Sequence, residues 1–286
     1  MPLHPVIFFF RTAVRRAPAV LALLLTTAAL ATTMALWHGW AASRPAALPS
    51  DPKVLKVAID PDAMPLSNGE RDYTSDGFEH TYARDLATQM GLAVELVPLR
   101  YDEQAEALKQ GRVDAALRRR SAPTMDKDVQ VVPTGYTSGL SVAMRSDTDV
   151  KSWPALAGHL VCATTGNARA RAQVARVGAR LQLHRSPAQA LVAVRTGACT
   201  AAVLDQAPLR ALLGRKEWRK FSATLPPTEP SALELVLPPG KAPLQAAVRA
   251  AAAAVGDEPH WARRRQTWAS NVAFEVYFDQ TGPDCH

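Results

Sequence analysis

Several polar positions have the types and spacing to hold a small charged molecule. Asp205 closes the apolar run Cys199–Leu204, which reads as a buried strand. A carboxylate at the carboxyl end of such a strand suits a cationic group. It equally suits the N-cap of a helix over Gln206–Leu213, because Asp is a favoured cap. Thr165-Gly166-Asn167 stands where a strand turns into a helix, and the free backbone N–H groups of such a turn attract an anion such as a carboxylate. Arg118-Arg119-Arg120 is a dense basic run and leads into Ser121; a short run of this kind also serves as a solvated strand end or cleft rim. Asp60, Asp62 and Glu79 bring carboxylates near the start of the folded part, where a cap or a turn explains each of them as well.

Covalent and metal chemistry find less support. No Gly-x-Ser-x-Gly, His-Glu-x-x-His or Walker motif is present, and no cofactor is implied. Cys162 and Cys199 each begin an apolar run. As starts of adjacent strands they are close enough to bridge, or they are two buried thiols; an exported chain favours the bridge. With His184 they fit no zinc spacing, so no metal site is expected. The third cysteine, Cys285, is next to the C-terminus.

Composition narrows the partners. The 286 residues carry a formal charge of +7. Arg11, Arg15 and Arg16 lie in a segment before residue 44 that has no acid; without them 30 basic and 26 acidic residues remain, or +4. That is too mild for a nucleic-acid binder, and no aromatic-interleaved basic patch is present. Ala17–Trp40 is an uncharged, mostly apolar run of 24 residues. A signal-peptide core is usually about 7–15 residues and a spanning helix about 20. Residues 1–43 are therefore read as a signal peptide or an N-terminal membrane anchor, with small residues at Ala41-Ala42-Ser43 for cleavage. Either way the folded part is exported.

The elements that must position these residues repeat. Ala107–Leu117 and Ala193–Val203 align without a gap at an offset of 86 (193 − 107). Each is a helix end, a glycine (Gly111 or Gly197) and a short apolar run, which predicts helix, C-cap and buried strand twice. Around them, Val54–Ile59 and Ala93–Pro98 read as strands, and Phe78, Tyr82, Leu86 and Met90 mark a helix by their four-residue spacing. Tyr136–Arg145, Leu160–Ala163, Leu181–His184 and Ala232–Leu237 read as further strands. Helices are expected at Leu244–Val255 and Trp261–Ser270, followed by a tail without clear period. Residues 44–52 are a proline-rich linker, 53–138 the first part of lobe one, 139–236 lobe two with hinge strands, and 237–286 a return to lobe one with a tail. Alternating strands and helices imply parallel-rich α/β sheets, and ligands of such sheets bind beyond the strands' carboxyl ends.

From Leu55 to about Trp268 the chain resembles the periplasmic solute-binding proteins of family 3, the polar amino-acid receptors of ABC importers. The matching stretches are Lys56–Asp62 with Pro65, Asp76-Gly77-Phe78-Glu79, Gln110–Ala115, Tyr136–Gly139, Leu156-Ala157-Gly158 with Val161-Cys162, and Ser186-Pro187 through Asp205. The resemblance implies a two-lobed type II periplasmic binding fold with two crossing hinge strands. It also implies a monomer that captures a small polar, amino-acid-like solute for an ABC permease or another inner-membrane or periplasmic partner. Asp205 then holds an ammonium, and Thr165, Gly166, Asn167, Arg120, Ser121 and Asp62 complete the ligand set. The family's lobe-one arginine aligns with Met125, and Ala63–Leu66 lacks the family's aromatic ring; Arg118, Arg119, Arg120 or Lys127 would have to substitute for the arginine. Pro65–Asn68 followed by Gly77-Phe78-Glu79 is similar to receptors encoded with quinoprotein alcohol dehydrogenases, which makes an accessory protein an alternative. A membrane-anchored sensor domain is another. A dehydratase-like enzyme on the same fold would draw on Asp60, Asp62 or Glu79.

Overall fold

The computed structural model describes residues 54–63, 78–120, 129–228 and 230–279. The N-terminal apolar segment, the linker, residues 64–77, residues 121–128 and Cys285 lie outside the described residues.

The first α/β unit runs β1 (Val54–Ile59), α1 (Phe78–Gln89), β2 (Ala93–Pro98), α2 (Tyr101–Lys109) and β3 (Ala115–Arg119). Helix α1 forms where Phe78, Tyr82 and Leu86 recur every four residues, and all three are buried. Strand β1 pairs in parallel with both β2 and β3. The second unit repeats this order after a single leading strand, β5 (Leu140–Met144). It runs β6 (Leu160–Thr164), α3 (Ala168–Arg176), β7 (Arg180–His184), α4 (Pro187–Arg195), β8 (Ala201–Asp205) and α5 (Gln206–Leu213). Here β6 is parallel to β7 and β8.

The repeated stretches take the same backbone path. Gly111 and Gly197 sit at φ 70° and 80°, the left-handed region that ends a helix cheaply only at glycine. Three residues beyond each glycine the chain joins its sheet in the same way. The Asp114 N–H donates to the Lys56 carbonyl at 2.8 Å, and the Thr200 N–H to the Leu160 carbonyl at 2.9 Å.

The chain changes lobes at Gly139. The sequence predicts one strand over Tyr136–Arg145; the structure has two, β4 (Gln130–Ser138) in the first sheet and β5 in the second. The return reaches Thr228 and resumes at Pro230 before β9 (Ser231–Leu237), which lies antiparallel between β3 and β4. The sheet orders are β2-β1-β3-β9-β4 and β5-β8-β6-β7. The two crossings lie against each other: the Leu140 N–H donates to the Thr228 hydroxyl and the Thr228 N–H to the Leu140 carbonyl, both at 2.9 Å. A Cβ at Gly139 would stand 2.3 Å from the Thr228 carbonyl oxygen, so only glycine fits this crossing.

Two helices close the chain, α6 (Ala242–Val255) and α7 (Glu258–Asp279). The tail expected after Ser270 is helical through Asp279. Helix α7 serves two cores: Trp261 belongs to the lobe-one cluster, while Ala269, Val272 and Val276 are buried against α4 and α5 in lobe two. Among the described residues no helix is long and apolar enough to cross a membrane.

Candidate functional site

Strands β3 and β8 end facing each other across the lobes, and their last residues meet. Arg119 Nη2 lies 2.9 Å from Asp205 Oδ2. Arg119 Nε donates to Glu79 Oε1 at 3.1 Å from the first turn of α1. The guanidinium also stacks over the Tyr136 ring, 4.7 Å from its centroid. Side-chain exposure is 22% for Arg119, 14% for Asp205 and 18% for Glu79, so the cluster is mostly withdrawn from water.

Strand alternation explains why the middle arginine is the one in the cleft. Successive side chains point to opposite faces of a strand. Arg118 lies over the Tyr101 ring, 5.2 Å from its centroid. Arg120, placed in the expected ligand set, pairs through Nε with Glu234 Oε1 at 2.7 Å and is half exposed. Arg119 takes the opposite face and reaches the second lobe.

Asp205 stands at the N-cap of α5 but makes no capping bond. Ser138 and Gly139 cap the helix instead. The Ala207 N–H donates to Ser138 Oγ at 3.1 Å and the Gln206 N–H to the Gly139 carbonyl at 2.9 Å. The Asp205 carboxylate is thereby released into the cleft. Besides Arg119 it accepts from the Tyr136 hydroxyl at 3.3 Å and from Asn167 Nδ2 at 3.5 Å, and Arg169 Nη1 stands 3.9 Å away. Arg169 also donates to the Ser138 carbonyl at 3.2 Å.

The loop after β6 is partly committed internally. The Thr165 N–H donates to the His184 carbonyl and the Asn167 N–H to the Thr164 carbonyl. Asn167 caps α3 by accepting from the Ala170 N–H at 3.0 Å. Gly166 touches the other lobe, since a Cβ there would stand 2.2 Å from the Asp62 carbonyl oxygen. Asp62 itself is exposed and lies 3.6 Å from Arg171 Nη1 on α3. Ser121 lies outside the described residues. The cleft thus gathers Asp205, Asn167 and Gly166 from the expected set with Asp62 at its rim, joins to them Arg119, one of the candidates to replace the lobe-one arginine, and the candidate carboxylate Glu79, and adds Tyr136 and Arg169. For Arg119 a signal existed, because it occupies the register of Asp205 in the repeat (205 − 119 = 86).

Burial and neighbouring charges shift three of these groups. Burial alone would lower the Arg119 guanidinium, but the Asp205 and Glu79 carboxylates outweigh it and hold the group charged. Tyr136 is pushed upward, first by burial and then by the Asp205 charge, so its hydroxyl stays a donor. Arg169 is lowered, chiefly by burial. An aromatic group fixes the Tyr136 ring: Phe78 lies at 5.2 Å and Trp261 at 4.7 Å between centroids, and Trp261 Nε1 donates to the Thr134 carbonyl at 2.9 Å.

Away from the cleft, Cys162 and Cys199 are joined by a disulfide, with Cα atoms 5.9 Å apart. His184 Nε2 stands 3.1 Å from Cys162 Sγ, and the three side chains form a cluster with metal-ligand atom types. With each sulfur bonded to the other, no thiolate is offered to an ion. Burial lowers the His184 imidazole.

Two α/β lobes joined by paired crossings, with charged side chains from both meeting at the strand ends, define a type II binding fold. The sequence matches the bacterial extracellular solute-binding proteins, family 3, over residues 55–271, and the chain belongs to that family. A search of the curated proteins finds no match. Among solved structures, the fold is similar to an ancestral cationic amino acid solute-binding protein (20% identity, TM-score 0.52, covering 78% of this chain and 96% of that one). It is similar to an amino acid ABC transporter substrate-binding protein from Streptococcus pneumoniae bound to L-arginine (15%, 0.52, 77% and 96%). It also resembles a mutant of ArgBP from T. maritima (16%, 0.50, 80% and 96%). At these identities the likeness concerns the fold.

Proposed function

We propose that the chain is an exported, periplasmic receptor that closes its two lobes over a small polar, amino-acid-like solute and presents the closed form to an ABC permease. The observation that carries this is the meeting of Asp205, Arg119 and Arg169 between the lobes, at the strand ends where ligands of parallel sheets bind. Hinge closure about Gly139 and Thr228 would bring these groups onto a ligand. The reading is of binding rather than catalysis, because both cleft carboxylates, Glu79 and Asp205, are engaged by the Arg119 cation. The protein acts as a monomer, and residues 1–43 direct export or remain as an anchor.

The test is a thermal-shift screen of amino acids, amines and small carboxylates. Binding only the native state stabilises by about 2.7 kcal/mol at a hundredfold excess over Kd. At least one class should raise Tm, and Asp205→Ala should abolish the shift while the protein still unfolds cooperatively. A flat screen would contradict solute capture and favour an accessory protein.

A further inference from the structure

We propose that the cleft is a built cation site whose resident occupant is the chain's own Arg119, and that it takes a free guanidinium-bearing small molecule once that side chain is removed. The inference rests on the cleft assigned above as the binding site.

The site has the composition a buried cation needs. Two carboxylates and one aromatic face come from three elements and both lobes: Glu79 on α1, Tyr136 on β4 and Asp205 on β8. The guanidinium meets them at 3.1 Å, 4.7 Å and 2.9 Å. Charge-assisted hydrogen bonds to carboxylates and stacking on an aromatic face are the two recognition modes that suit a planar guanidinium best. None of the three groups depends on the Arg119 backbone. Tyr136 is held by Phe78 and Trp261, and Asp205 is relieved of capping by Ser138 and Gly139.

The tethered occupant fits incompletely. Arg119 Nη1 is enclosed, and among the described residues it has no hydrogen-bond partner. A side chain anchored on β3 cannot turn to use every donor; a free guanidinium has that freedom. Removing the tether leaves two mostly buried carboxylates without their cation, a costly arrangement that an outside cation relieves. While Arg119 is present, a lobe-one side chain makes the bond to Asp205 that a captured cation would make. A cationic solute must therefore displace Arg119 to reach Asp205.

The experiment compares the full chain with Arg119→Met, which keeps length and apolar stem, in the presence of millimolar methylguanidinium chloride or equal sodium chloride. Calorimetry should show methylguanidinium binding to Arg119→Met at least about tenfold more tightly than to the wild type, with a matching rise in Tm. Adding E79Q and D205N to Arg119→Met should abolish the gain. Equal responses of wild type and variant, or no response of the folded variant, would overturn the inference. If Arg119→Met does not fold unaided, its refolding yield is the readout: recovery with methylguanidinium and not with sodium chloride supports the site, and no recovery overturns it. The receptor reading fails separately. A wild type that binds nothing beside a responsive variant would end that reading and leave this one standing.

Discussion

The two repeated units follow one backbone plan and finish it with opposite charges. In lobe one the plan ends at Arg119, in lobe two at Asp205, and these equivalent residues bond across the cleft. The first strands show the same correspondence. Val57 pairs with Ala115 as Val161 pairs with Ala201, an offset of 104 (161 − 57). Asp62 then corresponds to Gly166, and these two also touch between the lobes. By the same registers the disulfide partners Cys162 and Cys199 correspond to Ala58 and Val113, which are fully buried in one apolar cluster. Similar backbones thus carry different chemistry: packing where lobe two has a covalent bridge, and a cation where lobe two has an acid. A duplicated scaffold can build its own interlobe contact by changing one residue at one register.

The comparison can be broken most severely at its ends. Arg119→Met should lower stability by about 3–5 kcal/mol in denaturant unfolding, the usual cost of stripping one partner from a buried ion pair. The exchange of Arg119→Asp with Asp205→Arg should recover only part of this, because Glu79 would then face an acid instead of a base. Full recovery would mean that Glu79 contributes nothing. Next comes the bridge. Cys199→Ser should cost about 3–4 kcal/mol through a loop closed over 37 positions, and unchanged stability would show that lobe two packs as well without it, as lobe one does. Gly166→Ala comes third. Its Cβ would overlap the Asp62 carbonyl, so the lobes should part slightly, read as a larger radius of gyration and a loss of roughly 1–3 kcal/mol. The smallest effect belongs to Arg171→Ala, which removes only a half-exposed pair with Asp62 and should change stability by less than about 1 kcal/mol.

Much of the fold was legible because it rests on local signals. The glycine stops, the apolar runs and the four-residue spacing of α1 each report their own element. Helix α7 was not legible beyond Ser270, because it turns one side to lobe one at Trp261 and another to lobe two at Ala269, Val272 and Val276. A helix between two cores shows no single apolar stripe. The break at Gly139 was also hidden, since β4 and β5 both read as strand and only the contact with Thr228 requires the glycine. Asp205 was legible as a carboxylate at a strand end. That its side chain makes no capping bond was not, because the cap is supplied by Ser138, distant in sequence. Among three adjacent arginines the choice depended on strand phase, which composition does not reveal. Tyr136 gave no chemical signal of its own; its role follows from the arginine laid over it.

Arg119 and Asp205 interact directly across the cleft. A double-mutant cycle with Arg119→Met and Asp205→Asn, read by urea unfolding without ligand, tests this contact most directly. A coupling energy above about 1.5 kcal/mol is expected, as contacting charged residues give. Additivity within about 0.5 kcal/mol, the behaviour of independent sites, would contradict it.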